Sequence, residues 1–328
     1  MLNTFIKNSK IIFVLTGLII GAGFASGREI LEFFSIKSRS DFTPIILASL
    51  LFGAIIYQTL KKARRYNITD FDSFALVLCG KWSFLIRLFV KFFMFVSFFI
   101  MLSGGGSAFH RLCGTGAPLG SVLTALICFI ILIFGEKGLV ATNTFLVPIM
   151  VFGIICVSFS ATLSVFASST AGSLFSAVCY ASFNTITSAG VLVPLSKGLT
   201  EKTIKTVSII TGGIISFLIL IIWLAINTNF SRVINEDLPL LALTAGVTEK
   251  LYGGILLMAI ITTAVSSGFG ILNSIKTEKK TDRVILSALL CLIALPFSLF
   301  GFSVLVSRVY FVCGVLGLLW TMRVIYPD

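Results

Sequence analysis

The stretch Gly21-Ala22-Gly23-Phe24-Ala25-Ser26-Gly27-Arg28-Glu29-Ile30-Leu31-Glu32-Phe33-Phe34 decides how this chain folds. Apolar residues lead into it from Ile11 to Ile20 and continue to Phe34. It therefore sits inside a run long enough to cross a bilayer, which takes about 20 apolar residues. Three of its first seven residues are glycine. Backbone groups inside a membrane must be hydrogen-bonded, so a helix opens there only where it lines a cavity. Glycine allows the backbone angles of such an opening and removes side-chain obstruction. The alternative is close helix packing, since Gly17-x-x-x-Gly21 and Gly23-x-x-x-Gly27 both fit the small-residue pattern.

Lys7 and Lys10, the apolar run after them and Ala25-Ser26-Gly27 also have the outline of a cleaved signal peptide. The pattern running on through Phe34 favours the second half of an interrupted span instead. Composition points the same way. Hydrophobic residues make up 57% and charged residues 12%, whereas a soluble domain carries about 25% charge. So few charges cannot cover a water-exposed surface, and the 32 Phe residues suit helices that face lipid. The net charge of +12 does not form one patch, which excludes a nucleic-acid partner. Cys79, Cys113, Cys128, Cys156, Cys179, Cys291 and Cys313 lie mostly in apolar stretches without a CxxC pair, as small buried hydrophobes do.

Ten spans follow, at roughly 10–35, 42–61, 83–108, 118–135, 139–161, 173–197, 204–226, 250–274, 283–300 and 302–324. With the N-terminus inside, sixteen Lys and Arg fall on the cytoplasmic side. Lys61, Lys62, Arg64, Arg65, Lys197, Lys202, Lys276, Lys279 and Arg323 are among them. Five, Lys37, Arg39, Arg111, Arg232 and Lys250, fall outside. That asymmetry places both termini in the cytoplasm. Span centres repeat at offsets of about 163 to 167 residues, dividing the single transmembrane domain, 1–328, into five-span halves at 1–165 and 170–328. Five is odd, so the second half enters the membrane from the opposite side. Such inverted repeats are frequent in secondary transporters.

The matching point of the second half is span 6. It carries Ser182-Phe183-Asn184-Thr185-Ile186-Thr187-Ser188-Ala189-Gly190 and then Pro194. Paired interruptions at matching spans are the sequence mark of a transporter site, so both spans 1 and 6 are expected to be discontinuous. A half-helix N-terminus would offer a positive end to a solute carboxylate, and freed carbonyls would hold a cation. Gly23, Ser26, Gly27, Ser182, Phe183, Asn184 and Thr185 are the expected solute contacts.

The run GAGFASGREILEFF (21–34), with NTITSAGVLVPL (184–195) and TTAVSSGFG (262–270), resembles the YkvI-type bacterial membrane proteins. These belong to the amino acid–polyamine–organocation superfamily with the LeuT-type fold. The resemblance covers essentially the whole chain and implies an all-α membrane protein with a 5+5 inverted repeat. It further implies a sodium ion between the span 1 break and span 8. The ligands would be the backbone carbonyls of Gly21, Phe24 and Thr263 with Ser266 and Ser267. Residues 263, 266 and 267 share one helix face, and oxygen ligands suit a hard cation. Span 5 has no Lys or Arg between Leu139 and Ala161 to stand in for the ion.

Charges at membrane depth default to functional roles. Arg28, Glu29 and Glu32 follow the break, and Arg308 lies in span 10. A span 1 carboxylate is expected to pair with Arg308 in an outer gate, with Arg28 the alternative partner. Glu29 or Glu32 could instead carry a proton. Ser103 to Ser107 reads as a packing face, and 237–248 as a short lid-like helix. No catalytic motif is present and the only histidine is His110, so the chain is not expected to be an enzyme. The function expected is a sodium-coupled symporter of a small amino-acid-like solute, with no cofactor beyond the bound ion. The partners are that solute, the cation and the lipid bilayer. A small-solute sensor of the germinant-receptor kind or a proton-coupled transporter are the alternatives.

Overall fold

The computed structural model describes residues 2–35, 42–134, 136–162, 173–275 and 280–326. Lys37, Arg39, Lys276 and Lys279 of the charge count lie outside the described residues, as does the 165–170 junction of the two halves. Among the described residues the chain is helical throughout and forms no strand.

The first span is built from α1 (Leu2–Ile19), α2 (Ala22–Ala25) and α3 (Arg28–Phe34). Then come α4 (Thr43–Arg65), the short α5 (Phe71–Cys79), α6 (Ser83–Cys113), α7 (Ala117–Phe134) and α8 (Glu136–Thr162). The second half comprises α9 (Leu174–Leu195), α10 (Glu201–Thr228), single turns α11 (Phe230–Val233) and α12 (Pro239–Ala242), and α13 (Gly246–Ser274). It closes with α14 (Lys280–Ser298), α15 (Phe302–Leu305) and α16 (Phe311–Ile325). Seven of these helices, some continuing into their neighbours, are long and apolar enough to cross a membrane. The apolar α7 and α8 and the broken first span supply the other passes of the expected ten. The 23 residues of α4 extend about 34 Å at 1.5 Å per residue, enough for a hydrocarbon core of about 30 Å.

Three features depart from the sequence expectation. Helix α5 was not expected. It starts because the Asp70 carboxylate accepts a hydrogen bond from the Ser73 N–H at 2.8 Å, an N-cap ahead of an apolar run. The lid-like helix over 237–248 is only the single turn of α12, and from Gly246 the chain is already in α13. Span 6 is not discontinuous: α9 runs unbroken from Leu174 to Leu195. Its polar side chains bond back to their own helix. Asn184 donates to the Tyr180 carbonyl at 3.0 Å, Thr185 to that of Ala181 at 2.8 Å, and Ser188 to that of Asn184 at 2.7 Å. Such back-bonds leave a helix intact.

Helices that precede and follow residues 163–172 pack on one another. Helix α4 lies on α10, α6 on α13 and α7 on α14, while α4 touches α9 as α10 touches α1. At the α4–α10 crossing a Cβ on Gly212 would stand 3.2 Å from the Gly53 Cα. Ser49 donates to the Gly212 carbonyl there at 3.5 Å. Small residues thus let the two backbones approach.

The two faces differ. Lys62 Nζ donates to the carbonyls of Arg323 at 3.3 Å and Tyr326 at 2.7 Å, and Lys61 pairs with Glu201 at 3.7 Å. The end of α4, the start of α10 and the C-terminus therefore share one face. The segment around α11 and α12 caps the opposite face, where Arg111 pairs with Glu249 at 2.6 Å.

Candidate functional site

The first span breaks twice. Helix α1 ends at Ile19, where the Gly21 N–H reaches only to the Ile19 carbonyl at 3.0 Å. Gly21 is extended (φ −85°, ψ −176°) and α2 makes one turn after it. Gly27 then takes φ +80°, a left-handed conformation that glycine adopts without strain. Between the breaks, Ser26 Oγ donates to the Gly23 carbonyl at 2.8 Å and accepts from the Arg28 N–H at 3.2 Å. Groups from elsewhere meet the remaining carbonyls: Leu240 N–H donates to Ser26 at 2.9 Å, and the Tyr252 hydroxyl donates to Ala25 at 2.6 Å. This is how irregular backbone is tolerated at membrane depth.

Glu29 opens the first turn of α3 and is 4% exposed. Its side chain lies over the break, and a Cβ on Gly23 would overlap its carboxylate. The Tyr180 hydroxyl on α9 donates to Glu29 Oε2 at 3.0 Å. Around this pair the rings gather. Phe33 and Tyr180 lie 5.0 Å apart, Tyr180 and Phe183 5.7 Å, Phe183 and Tyr310 4.9 Å. Tyr310 ends a π-helical turn, Val306–Tyr310, between α15 and α16. Such turns often mark functional positions.

The other charges go elsewhere. Arg28 pairs with Glu32 and also donates to the carbonyls of Ile234 at 3.2 Å and Glu236 at 3.1 Å. It thereby straps the α11–α12 segment onto the first span. Asp237 extends the strap, accepting from Ser107 at 2.6 Å and from the Ser303 N–H at 3.0 Å. Beside it opens a polar cleft of about 580 Å³ lined by Ser107, His110, Arg111, Glu236 and Asp237. The expected pairing of a span 1 carboxylate with Arg308 is corrected: Arg308 is exposed and Glu32 is taken by Arg28. The reason is local, because Glu32 lies one helical turn after Arg28 on the same face.

The expected solute contacts separate into two groups. Gly23, Gly27 and Phe183 stand at the break or the aromatic cluster. Ser182 faces α16, where a Cβ on Gly317 would meet its carbonyl at 3.1 Å. Asn184 and Thr185 are spent on their own helix, and Ser26 serves within the break. Tyr180, Tyr310 and Phe33 were missed. A usable signal existed, because a tyrosine buried in mid-span needs a partner for its hydroxyl.

The expected cation ligands are adjacent but do not form a closed shell. A Cβ on Gly21 would lie 4.0 Å from Thr263 Oγ1, and α2 packs on α13. The Gly21 carbonyl accepts from the Ala25 N–H at 2.9 Å and that of Phe24 from Gly27 at 3.0 Å. Thr263 donates to Ala259 and Ser266 to Thr262, each at 2.8 Å, while Ser267 reaches Ser97 at 3.2 Å. The hydroxyl oxygens keep lone pairs for a hard cation. Among the described residues no three His, Cys, Asp or Glu side chains gather as metal ligands.

No family model matches the chain. Two proteins of Bacillus subtilis (strain 168) resemble it from end to end. The uncharacterized membrane protein YkvI is 27% identical over 326 residues, covering 94% of this chain and 93% of that one. The uncharacterized protein YyaD is 26% identical over 334 residues, covering 97% and 96%. Among solved structures, MhsT in complex with L-phenylalanine superposes with a TM-score of 0.65 at 15% identity, covering 96% of this chain and 94% of that one. The chain resembles the YkvI-type membrane proteins and has the LeuT fold. The Eremococcus coleocola manganese transporter also shares the fold, with a TM-score of 0.62 at 12% identity over 96% and 77% of the two chains. In this chain the LeuT fold thus brings a broken first span, an unbroken sixth span and a buried carboxylate to one place.

Proposed function

We propose that this protein is a secondary active transporter that moves a small amino-acid-like solute by alternating access, with sodium as the coupling ion. The observation that carries the proposal is the double break of the first span, buried against α9 and α13 with Glu29 lying over it. An interrupted span at membrane depth is where transporters of this architecture hold solute and ion. The packing of α13, which carries Thr263, Ser266 and Ser267, on α2 supports the sodium assignment, and the strap at Arg28 and Asp237 supports a gate on the opposite face. The halves 1–165 and 170–328 are read as the two five-helix repeats of an inverted architecture. The basic residues shared by the ends of α4 and α16 support a cytoplasmic C-terminal face in the cell membrane. Glu29 gives the fold a proton-coupled alternative, which a pH gradient without sodium would drive.

Thermal unfolding of the detergent-purified protein in sodium and in choline tests the ion. A ligand at 100 times its dissociation constant stabilises by about 2.7 kcal/mol. Sodium should raise the unfolding temperature, and the double substitution Ser266→Ala with Ser267→Ala should remove the rise. Equal unfolding in both salts would overturn sodium coupling.

A further inference from the structure

We propose that the outer surface where α5 meets α6 is a binding site for an anionic phospholipid, drawn from the leaflet on the side of the α4 and α16 ends. Helix α5 has one buried side and one exposed side. Phe74, Ala75 and Cys79 are buried, and the rings of Phe71 and Phe74 lie 5.5 and 5.8 Å from that of Trp320 on α16. Leu76 and Val77 on the other side are exposed. A 3₁₀ turn, Gly80–Trp82, leads into α6, where Trp82, Phe84 and Leu88 are exposed as well.

Apolar side chains are ordinary on a lipid-facing surface; the basic ones set among them are not. Phe84, Arg87, Leu88 and Lys91 recur at i, i+3, i+4 and i+7 of α6 and so share one face. The nineteen residues from Phe92 to His110 extend about 28 Å, close to a hydrocarbon core of about 30 Å. His110 lines the cleft of the opposite face, so Lys91 stands near the other boundary of the hydrocarbon. Helix side chains lean toward the N-terminus of their helix. Arg87 does so, donating from Nε to the Ser83 carbonyl at 3.4 Å. The charged ends of Arg87 and Lys91 are thereby carried toward the level of Lys81 and Trp82, the headgroup layer in which Trp is enriched.

Among the described residues neither Lys81 nor Lys91 has a hydrogen-bond or ion-pair partner in the protein, and both are exposed. Residues 61–92 carry seven Lys and Arg against Asp70 and Asp72, and the Asp70 carboxylate is engaged as the cap of α5. The surface therefore offers apolar side chains to acyl chains and unpaired cations to a phosphate. A zwitterionic headgroup would bring a second cation to the same place. A headgroup of net negative charge brings none, and each Lys or Arg near an anionic membrane surface favours it.

Trp82 is a built-in reporter, being 66% exposed where Trp223 and Trp320 are 3% and 0% exposed. The test reconstitutes the full-length protein in phosphatidylcholine bilayers and adds brominated phosphatidylglycerol or brominated phosphatidylcholine at equal mole fraction. Bromine quenches tryptophan fluorescence on contact. The proposal predicts stronger quenching by the brominated phosphatidylglycerol, and loss of that difference in Trp82→Phe. Lys91→Gln should cut the preference about fivefold, the equivalent of about 1 kcal/mol per basic side chain at an anionic surface, and Arg87→Gln should act in the same direction. Lys202→Gln, which removes one charge from the start of α10, should leave the preference intact. Equal quenching by the two lipids would overturn the proposal. So would a preference that survives Trp82→Phe or Lys91→Gln, or one that Lys202→Gln lowers as much as Lys91→Gln does.

Discussion

The first and sixth spans match in the spacing of the sequence, and both are rich in small and hydroxylated residues, yet only the first one opens. The difference lies in which small residues they carry. Gly21, Gly23 and Gly27 lack a β-carbon, and the backbone uses that freedom at Gly27 and the space at Gly23. Span 6 has Ser182, Asn184, Thr185, Thr187 and Ser188 instead. Four of these five side chains hydrogen-bond to carbonyls of their own helix. Hydroxyls can serve a break as cap groups, as Ser26 does, or a continuous helix as back-bonding groups. Glycine at φ +80° has only one use.

This contrast can be broken by substitution. The largest effect is expected at Gly23, where a side chain would displace Glu29. Gly23→Leu should abolish the sodium-induced thermal shift and cost about 1–3 kcal/mol through overpacking. Next is Gly27→Ala. Its φ of +80° and the Leu240 Cγ 2.9 Å from the new Cβ should cost about 1–3 kcal/mol of stability, read as a lowered unfolding temperature. Thr185→Val removes only a back-bond and should cost about 1 kcal/mol or less. The smallest effect is expected at Gly190, which has nothing within 4 Å of a Cβ. Gly190→Ala should be neutral, or stabilising by up to about 1 kcal/mol through helix propensity. A Gly190→Ala penalty as large as that of Gly27→Ala would mean that span 6 opens as well.

Much of this was legible in the sequence. Long apolar runs fix the number of passes because a bilayer sets their length. The turn at Gly301, where spans 9 and 10 nearly fuse, carries φ +87°. The first break was legible because glycine clusters have few explanations at membrane depth. The state of span 6 was not, since a hydroxyl does not reveal which carbonyl it will reach. Arg308 looked like a gate partner because only tertiary structure shows that the chain around Ile234 and Glu236 passes over Arg28. Tyr180 and Tyr310 escaped notice for a similar reason. The place of Tyr180 beside Glu29 depends on the rotation of α9, and that of Tyr310 beside Phe183 on a π-helical turn that no residue pattern announces.

The central claim is that the broken first span is a solute and ion site exposed to the two faces in turn. Single cysteines at Ser107, in the cleft of the opposite face, and at Thr187, on α9, report on it most directly once the exposed Cys113 and Cys156 are replaced by serine. Labelling rates with a membrane-impermeant maleimide are then compared in sodium and in choline. The account predicts that the two sites change in opposite directions when sodium is exchanged for choline. Rates that stay fixed, or that rise and fall together, would contradict it.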